Sequence, residues 1–294
     1  MAVIEVNGIT KDYGQGRGIF DLSFSIQKGE VFGFLGPNGA GKTTTLRHLM
    51  GFIHPDQGQI MINGKDCFSQ SAEIHKTLGY LPGEIAFPED MTGRELIRFM
   101  SQMRGMDGVG EAEKLAKQLK FDDTARIRRM SKGTKQKLGI ICAFMHRPEV
   151  LLLDEPTSGL DPLMQNRFLE LVNEQKSAGR TVFMSSHSFE EIERTCTRAA
   201  ILRAGRLVTV ENIQKLRSTR RKTFVVQLKD EPSAIALSQE ITGTIRKRDT
   251  VTVSVTGDIG SFLKKIASYP VRDLQQSIQT LEEVFLHYYG GKTK

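Results

Sequence analysis

The sequence predicts an α/β fold followed by a small α+β unit, and three observations predict it. First, the apolar run Val31-Phe32-Gly33-Phe34-Leu35 leads into a glycine-rich loop at residues 36–44. The helix-like stretch Thr44–Met50 leads out of that loop. Second, Val150-Leu151-Leu152-Leu153 and Thr181-Val182-Phe183-Met184 are continuously apolar, as strands buried on both faces of a parallel sheet must be. Third, the residues beyond 217 read strand, helix, strand, strand, helix, strand, the order of a split βαβ unit of ferredoxin-like type.

Taken in order, Ala2–Val6, Phe20–Ile26 and Val31–Leu35 read as strands, with a turn at Lys28-Gly29. Residues 58–64 form another short strand ending in a turn. Residues 84–146 are helix-rich, with helices expected over 92–104, 111–119 and 134–144. The first of these opens on a capping box, Thr92-x-x-Glu95. Alternation of strand and helix returns over 149–187, with helices over 162–178 and 190–197. Residues 199–202 and 206–208 flank a turn at Ala204-Gly205. A boundary near Arg217–Arg221 separates the last unit, with strands over 223–229, 242–248, 250–256 and 271–275 and helices over 232–240 and 259–268. A closing helix, 281–289, begins at a second box, Thr280-x-x-Glu283. The expected domains are therefore 1–216, with a helical subdomain at about 84–146, and 217–294.

Bulk properties narrow the classes. With 294 residues and 39% hydrophobic content, the chain can build one large or two modest cores. Its net charge of +7 suits nucleotides, nucleic acid or an anionic membrane face without deciding among them. Three scattered cysteines, Cys67, Cys142 and Cys196, suit neither a metal site nor a disulfide framework and fit a reducing compartment. No apolar stretch approaches the roughly 18–20 residues of a membrane span, and the N-terminus lacks the pattern of a signal peptide.

The glycine-rich loop fits Gly-x4-Gly-Lys-Thr at Gly36, Gly41, Lys42 and Thr43, with Asn38, Gly39 and Thr44 in the same stretch. Backbone N–H groups of such a loop curl around a phosphate chain at a helix N-terminus. Lys42 would reach the β- and γ-phosphates of a nucleotide, and the Thr43 hydroxyl would hold Mg²⁺. Five further motifs follow or precede it in fixed order. Asp154-Glu155-Pro156 ends the apolar strand 150–153. Met130-Ser131-Lys132-Gly133-Thr134-Lys135-Gln136 precedes it and, taken alone, is only a helix cap. Ser158-Gly159-Leu160-Asp161 also reads as a turn capping a helix. His187 follows Met184-Ser185-Ser186, and Tyr13 lies in Thr10-Lys11-Asp12-Tyr13-Gly14.

Together these motifs resemble the nucleotide-binding subunit of an ATP-binding cassette (ABC) transporter over about residues 2–215. The resemblance implies a P-loop ABC ATPase cassette, a RecA-like core with an antiparallel β part and a helical subdomain, followed by the small α+β domain. It implies ATP and Mg²⁺ as ligands. Asp154 then serves Mg²⁺, and Glu155 is the general base that polarises the attacking water. The stretch from Ser131 is a degenerate family signature, whose Ser131 and Gly133 meet the γ-phosphate held by a second copy. Asp161 belongs to the loop that crosses that dimer interface. His187 resembles the switch histidine and Tyr13 the aromatic residue that stacks on adenine. One motif departs from the pattern: the glutamine expected after a Tyr-x-Pro stretch is Gly83, in Tyr80-Leu81-Pro82-Gly83-Glu84, which leaves Glu84 as the candidate for its metal-directed role. The C-terminal unit and the motif variants are similar to the drug-export branch, the bacitracin and daunorubicin exporters. That branch implies an ATPase at the cytoplasmic face of the cell membrane, paired as a homodimer with a separate integral-membrane permease. No nucleic acid is expected, although a soluble ABC ATPase acting on the ribosome or on nucleic acid is the alternative. A cluster of Ile85, Phe87, Met91 and Leu96 marks either a groove for the permease or ordinary core packing.

Overall fold

The computed structural model describes residues 1–218, 222–241, 243–255 and 258–278. The expected helix 281–289 and its capping box lie outside the described residues. The chain divides into two compact units, Met1–Ile213 and Gln214–Lys294.

The first unit contains two sheets. β1 (Ala2–Asp12), β2 (Gly18–Gln27), β4 (Gln57–Ile62) and β5 (Lys65–Asp66) make an antiparallel sheet in the order β2-β1-β4-β5. The first strand runs six residues beyond the expected end at Val6, because a register shift between Val6 and Ile9 turns Ile9 inward, opposite Leu22. That shift breaks the strict alternation on which a sequence reading depends. The second sheet comprises β3 (Val31–Leu35), β6 (Leu78–Leu81), β7 (Val150–Asp154), β8 (Thr181–Ser186), β9 (Arg198–Arg203) and β10 (Arg206–Asn212). Its order is β10-β9-β3-β8-β7-β6, parallel from β9 to β6, with β10 antiparallel at one edge. All residues of β3, β7 and β8 are buried, which accounts for their unbroken apolar runs. Phe24 of β2 stacks on Phe32 of β3 with ring centroids 5.6 Å apart, and Phe34 meets Phe183 of β8 at 5.0 Å, so one aromatic core serves both sheets. Burying each such ring contributes about 1.5–3 kcal/mol.

Helices α1 (Lys42–Leu49), α2 (Ser71–Thr77), α3 (Gly93–Met103), α4 (Gly110–Gln118), α5 (Lys132–Phe144), α6 (Pro162–Ser177) and α7 (Phe189–Thr195) complete this unit. The box at the start of α3 forms in both directions: the Glu95 amide donates to Thr92 Oγ1 at 3.2 Å, and the Thr92 amide donates to Glu95 Oε2 at 2.7 Å. Two elements carry little sequence signal. α2 buries only Ile74, and β6 is four residues ending in the Leu81-Pro82 turn. Helix α8 (Ile213–Ser218) begins at the last residue of the first unit.

The second unit contains β11 (Lys222–Leu228), α9 (Glu231–Glu240), β12 (Ile245–Lys247), β13 (Thr250–Val255), α10 (Ile259–Ile266) and β14 (Val271–Ile278). Its sheet is antiparallel, in the order β12-β13-β11-β14. Phe224, Val226, Leu228, Val251 and Val253 on one face pack with Leu237 of α9 and Phe262 of α10. Asp230 and Asp258 cap the two helices with their carboxylates.

Candidate nucleotide-binding and hydrolysis site

Three neighbouring parallel strands, β3, β8 and β7, build the site from their C-terminal ends. Leu35 pairs with Ser186 and Asp154 with Ser185, so Gly36, His187 and Glu155 leave the sheet side by side. Crevices at the carboxyl ends of parallel strands are where open α/β sheets bind ligands.

The loop after β3 needs its glycines. A Cβ on Gly36 would lie 2.7 Å from the Leu202 carbonyl oxygen, and Gly41, at φ 105°, is the left-handed residue that opens α1. Lys42 follows, with its side chain 6% exposed. Its ammonium donates to Gly36 O at 2.6 Å and Pro37 O at 3.3 Å, and pairs with Glu155 Oε1 at 3.0 Å. Thr43 Oγ1 donates to Asp154 Oδ2 at 2.7 Å. Asp154, fully buried at the end of β7, accepts from Ser185 Oγ on its other oxygen at 2.5 Å. A buried carboxylate is costly without such partners.

Glu155 takes φ +46°, a conformation that turns the chain sharply off β7. Its amide donates to Ser185 Oγ at 3.0 Å. Glu155 Oε2 lies 2.7 Å from His187 Nδ1, and since a carboxylate only accepts, Nδ1 carries the proton. Glu155 Oε1 is shielded from solvent and makes no hydrogen bond, its charge answered by the Lys42 ammonium.

A cleft of about 360 Å³ is lined by Tyr13, Asn38, Gly39, Gly41, Lys42, Thr43, Thr44 and Glu155, together with Arg17, Ala204 and Gly205. Tyr13, at the rim, is 51% exposed. Loop, cation and helix N-terminus in one cleft fit a triphosphate, and the Thr43 hydroxyl beside the Asp154 carboxylate fits a Mg²⁺ ion that takes its remaining ligands from phosphate and water.

The other expected site residues lie elsewhere. Ser131 caps α5, its hydroxyl oxygen accepting from the Thr134 amide at 3.2 Å. Asp161 caps α6 by accepting from the Met164 amide at 3.0 Å. Gly133 packs so closely on the loop before α6 that a Cβ would lie 2.5 Å from Gly159 O. Glu84 is exposed and, with its neighbours Gly83 and Ile85, lines another cleft bounded by Met130, Lys132, Lys135 and Gln136. It is Gly83 that abuts the Asp154 carboxylate, a Cβ there falling 3.1 Å from Asp154 Oδ2, because β6 pairs with β7 and delivers its following loop beside Asp154. The sequence reading missed Ser185, whose hydroxyl serves both Asp154 and the Glu155 amide. Two serines, Ser185 and Ser186, ending an apolar strand were the available signal. Burial pushes the thiols of Cys67, Cys142 and Cys196 up to about 12, so none of them is a ready nucleophile.

Fold and site define a phosphate-loop nucleoside triphosphatase. The family model described as ABC transporter matches residues 19–158. The bacitracin transport ATP-binding protein of Bacillus licheniformis is 34% identical over 241 residues, 81% of this chain and 79% of the relative. The linearmycin resistance ATP-binding protein of Bacillus subtilis is 35% identical over 232 residues, covering 77% and 74% of the two chains. A solved structure of an ATP-binding subunit of an ABC transporter superposes with a TM-score of 0.67 at 31% identity, over 73% of this chain and 92% of that one. The chain belongs to the ABC transporter family as an ATP-binding, ATP-hydrolysing subunit.

Proposed function

We propose that the chain is the motor of an exporter. It works at the cytoplasmic face of the membrane with a separate integral-membrane permease, and two copies close head-to-tail around two ATP molecules and Mg²⁺. The carrying observation is the line Lys42, Glu155, His187, joined at 3.0 and 2.7 Å where three adjacent strands end. Lys42 binds the β- and γ-phosphates, and Thr43 and Asp154 would hold Mg²⁺, which would supply charge neutralisation at the phosphates. A phosphate that draws the Lys42 ammonium away leaves Glu155 to take a proton from the attacking water. His187 holds Glu155 through Nδ1–H and has Nε2 left to accept a hydrogen bond from the attacking water. Tyr13 at the rim stacks on the base. Ser131, Gly133 and Asp161 do not line their own chain's cleft, which is what a second copy's use of them requires. The names of the two bacterial relatives, bacitracin transport and linearmycin resistance, support export of a toxic compound. They lend nothing to a ribosomal or nucleic-acid role.

No helix among the described residues is long and apolar enough to cross a membrane, and the relatives' names as transport and resistance ATP-binding proteins support a separate membrane partner. A second cleft, of about 250 Å³, suits it: Met50, Leu78, Tyr80, Phe87, Met100 and Arg104 are among its lining. Phe52, 58% exposed, meets Tyr80 of this lining edge-on at 5.9 Å, while Phe99 and Met103, on the α3 turn that carries Met100 and Arg104, are 46% and 70% exposed. An amphipathic helix of the permease fits such a groove. Phe87 is half-buried there, and losing an aromatic anchor costs about 2 kcal/mol or more of binding. Tagged chain isolated from solubilised membranes should therefore bring down an integral-membrane protein, and Phe87→Asp should lose it while keeping basal ATPase. Wild-type recovery of the permease by Phe87→Asp would move the groove elsewhere, and an unfolded variant would make Phe87 core.

A further inference from the structure

Beyond the ends of β7 and β8 the chain parts into two loops, one carrying Glu155 and the other His187. Glu191, on α7, spans them. Its carboxylate accepts from Thr157 Oγ1 at 2.6 Å and from Ser186 Oγ at 2.7 Å. Ser186 Oγ in turn accepts from the Ser188 amide at 2.9 Å. Thr157 and Ser186 are 5% and 1% exposed, so their hydroxyls have Glu191 rather than water as acceptor. Glu191 is itself fixed in α7, its amide donating to Ser188 Oγ and its carbonyl accepting from Thr195 Oγ1 at 2.7 Å.

The Glu155 backbone, at φ +46°, persists only if its surroundings hold it. Ser185 holds it on the sheet side, through the Glu155 amide. Two residues further on, the link from Thr157 to Glu191 holds the other side. We propose that Glu191 is a positioning residue for ATP hydrolysis: it clamps the Glu155 loop to the His187 loop and so keeps these two side chains in contact. The proposal rests on Glu155 and His187 being the catalytic pair. Glu191 touches neither and acts through Thr157 and Ser186. The clamped loop is also tied to α5, since Gln136 Nε2 donates to Pro156 O at 2.8 Å. One loop thereby joins the switch segment to the signature helix.

Steady-state ATPase of the purified full-length chain tests this, with kcat and KM resolved separately. Thr157→Val keeps the shape and removes the hydroxyl. Thr157→Val and Glu191→Ala should each lower kcat about 10- to 100-fold, the cost of a small misplacement of a reacting group. KM for ATP should stay within about threefold. Thr157→Ser should restore the rate, and Thr157→Val should add little in the Glu191→Ala background, because both remove one link. A role confined to stability would lower Tm but leave kcat per folded chain unchanged, and that result would overturn the proposal. Thr157→Val and Ser186→Ala carry the test if Glu191→Ala does not fold. Glu155→Gln, run in parallel, separates the two readings. Near-normal turnover there would remove the catalytic pair and the proposal with it, whereas lost turnover there beside wild-type kcat in Thr157→Val would remove the clamp alone.

Discussion

Gly133 is the second residue of α5, and a Cβ at that position would lie 2.5 Å from the Gly159 carbonyl oxygen, against about 3.4 Å for ordinary contact. Gly133→Ala must therefore part α5 from the loop before α6 by about 0.9 Å, the difference of those two distances. Overpacking of this kind costs about 1–3 kcal/mol. Replacing a helical glycine by alanine returns up to about 1 kcal/mol. The net loss is about 0–3 kcal/mol, which shifts Tm by roughly 0–12 °C in a unit of this size. The effect on turnover is larger, because the displaced loop begins at Glu155, and a misplacement near 1 Å costs about 10²-fold in rate. Steady-state ATPase should show kcat down by about that factor. Gly110→Ala is the control: a Cβ there meets nothing within 4 Å. It should gain up to about 1 kcal/mol and leave kcat alone. Wild-type kcat in Gly133→Ala, or equal effects in both variants, would refute the reasoning.

Two further outcomes are expected. In a Glu155→Gln background, ATP with Mg²⁺ should convert monomer to dimer on a sizing column, and Ser131→Arg should block that conversion by crowding the partner's phosphate site; a dimer that forms regardless of Ser131→Arg would contradict the head-to-tail arrangement. Burial, reinforced by nearby Arg104, pushes His146 down to about 4 despite its hydrogen bond to Leu78 O. The unfolded chain takes up that proton near pH 6.5 and the folded one near pH 4, so the stability His146 contributes is complete above about 6.5 and lost as pH falls toward 4. Thermal unfolding followed from pH 7 to 4 should show a smaller decline for His146→Gln than for the wild type, and parallel curves would contradict the burial argument.

The parts of the site that could be read from the sequence are those fixed within a few residues of a strand end. Lys42 and Thr43 sit in a loop whose glycine spacing is local. Asp154, Glu155 and His187 each terminate a buried apolar run, where a polar side chain has no other evident use. What could not be read depends on which strands are neighbours. Ser185 meets both Asp154 and the Glu155 amide only because β8 lies beside β7. Glu191 reaches Thr157 only because α7 follows that same strand. At Gly83 the sequence shows a missing side chain, and only the pairing of β6 with β7 shows that the position presses on Asp154 while Glu84 turns to another cleft. The far end of β1 escaped because its register shift breaks the alternation after Val6, and the short α2 because it buries only Ile74.

The most direct test of the account is ATP turnover by Glu155→Gln, measured beside its affinity for ATP with Mg²⁺. Glutamine keeps the size of the side chain and removes its basicity. A general-base role for Glu155 predicts near-wild-type nucleotide binding, through Lys42, Thr43 and Asp154, with turnover reduced about 10²- to 10⁴-fold, the usual contribution of a positioned base. Turnover close to that of the wild type would contradict it.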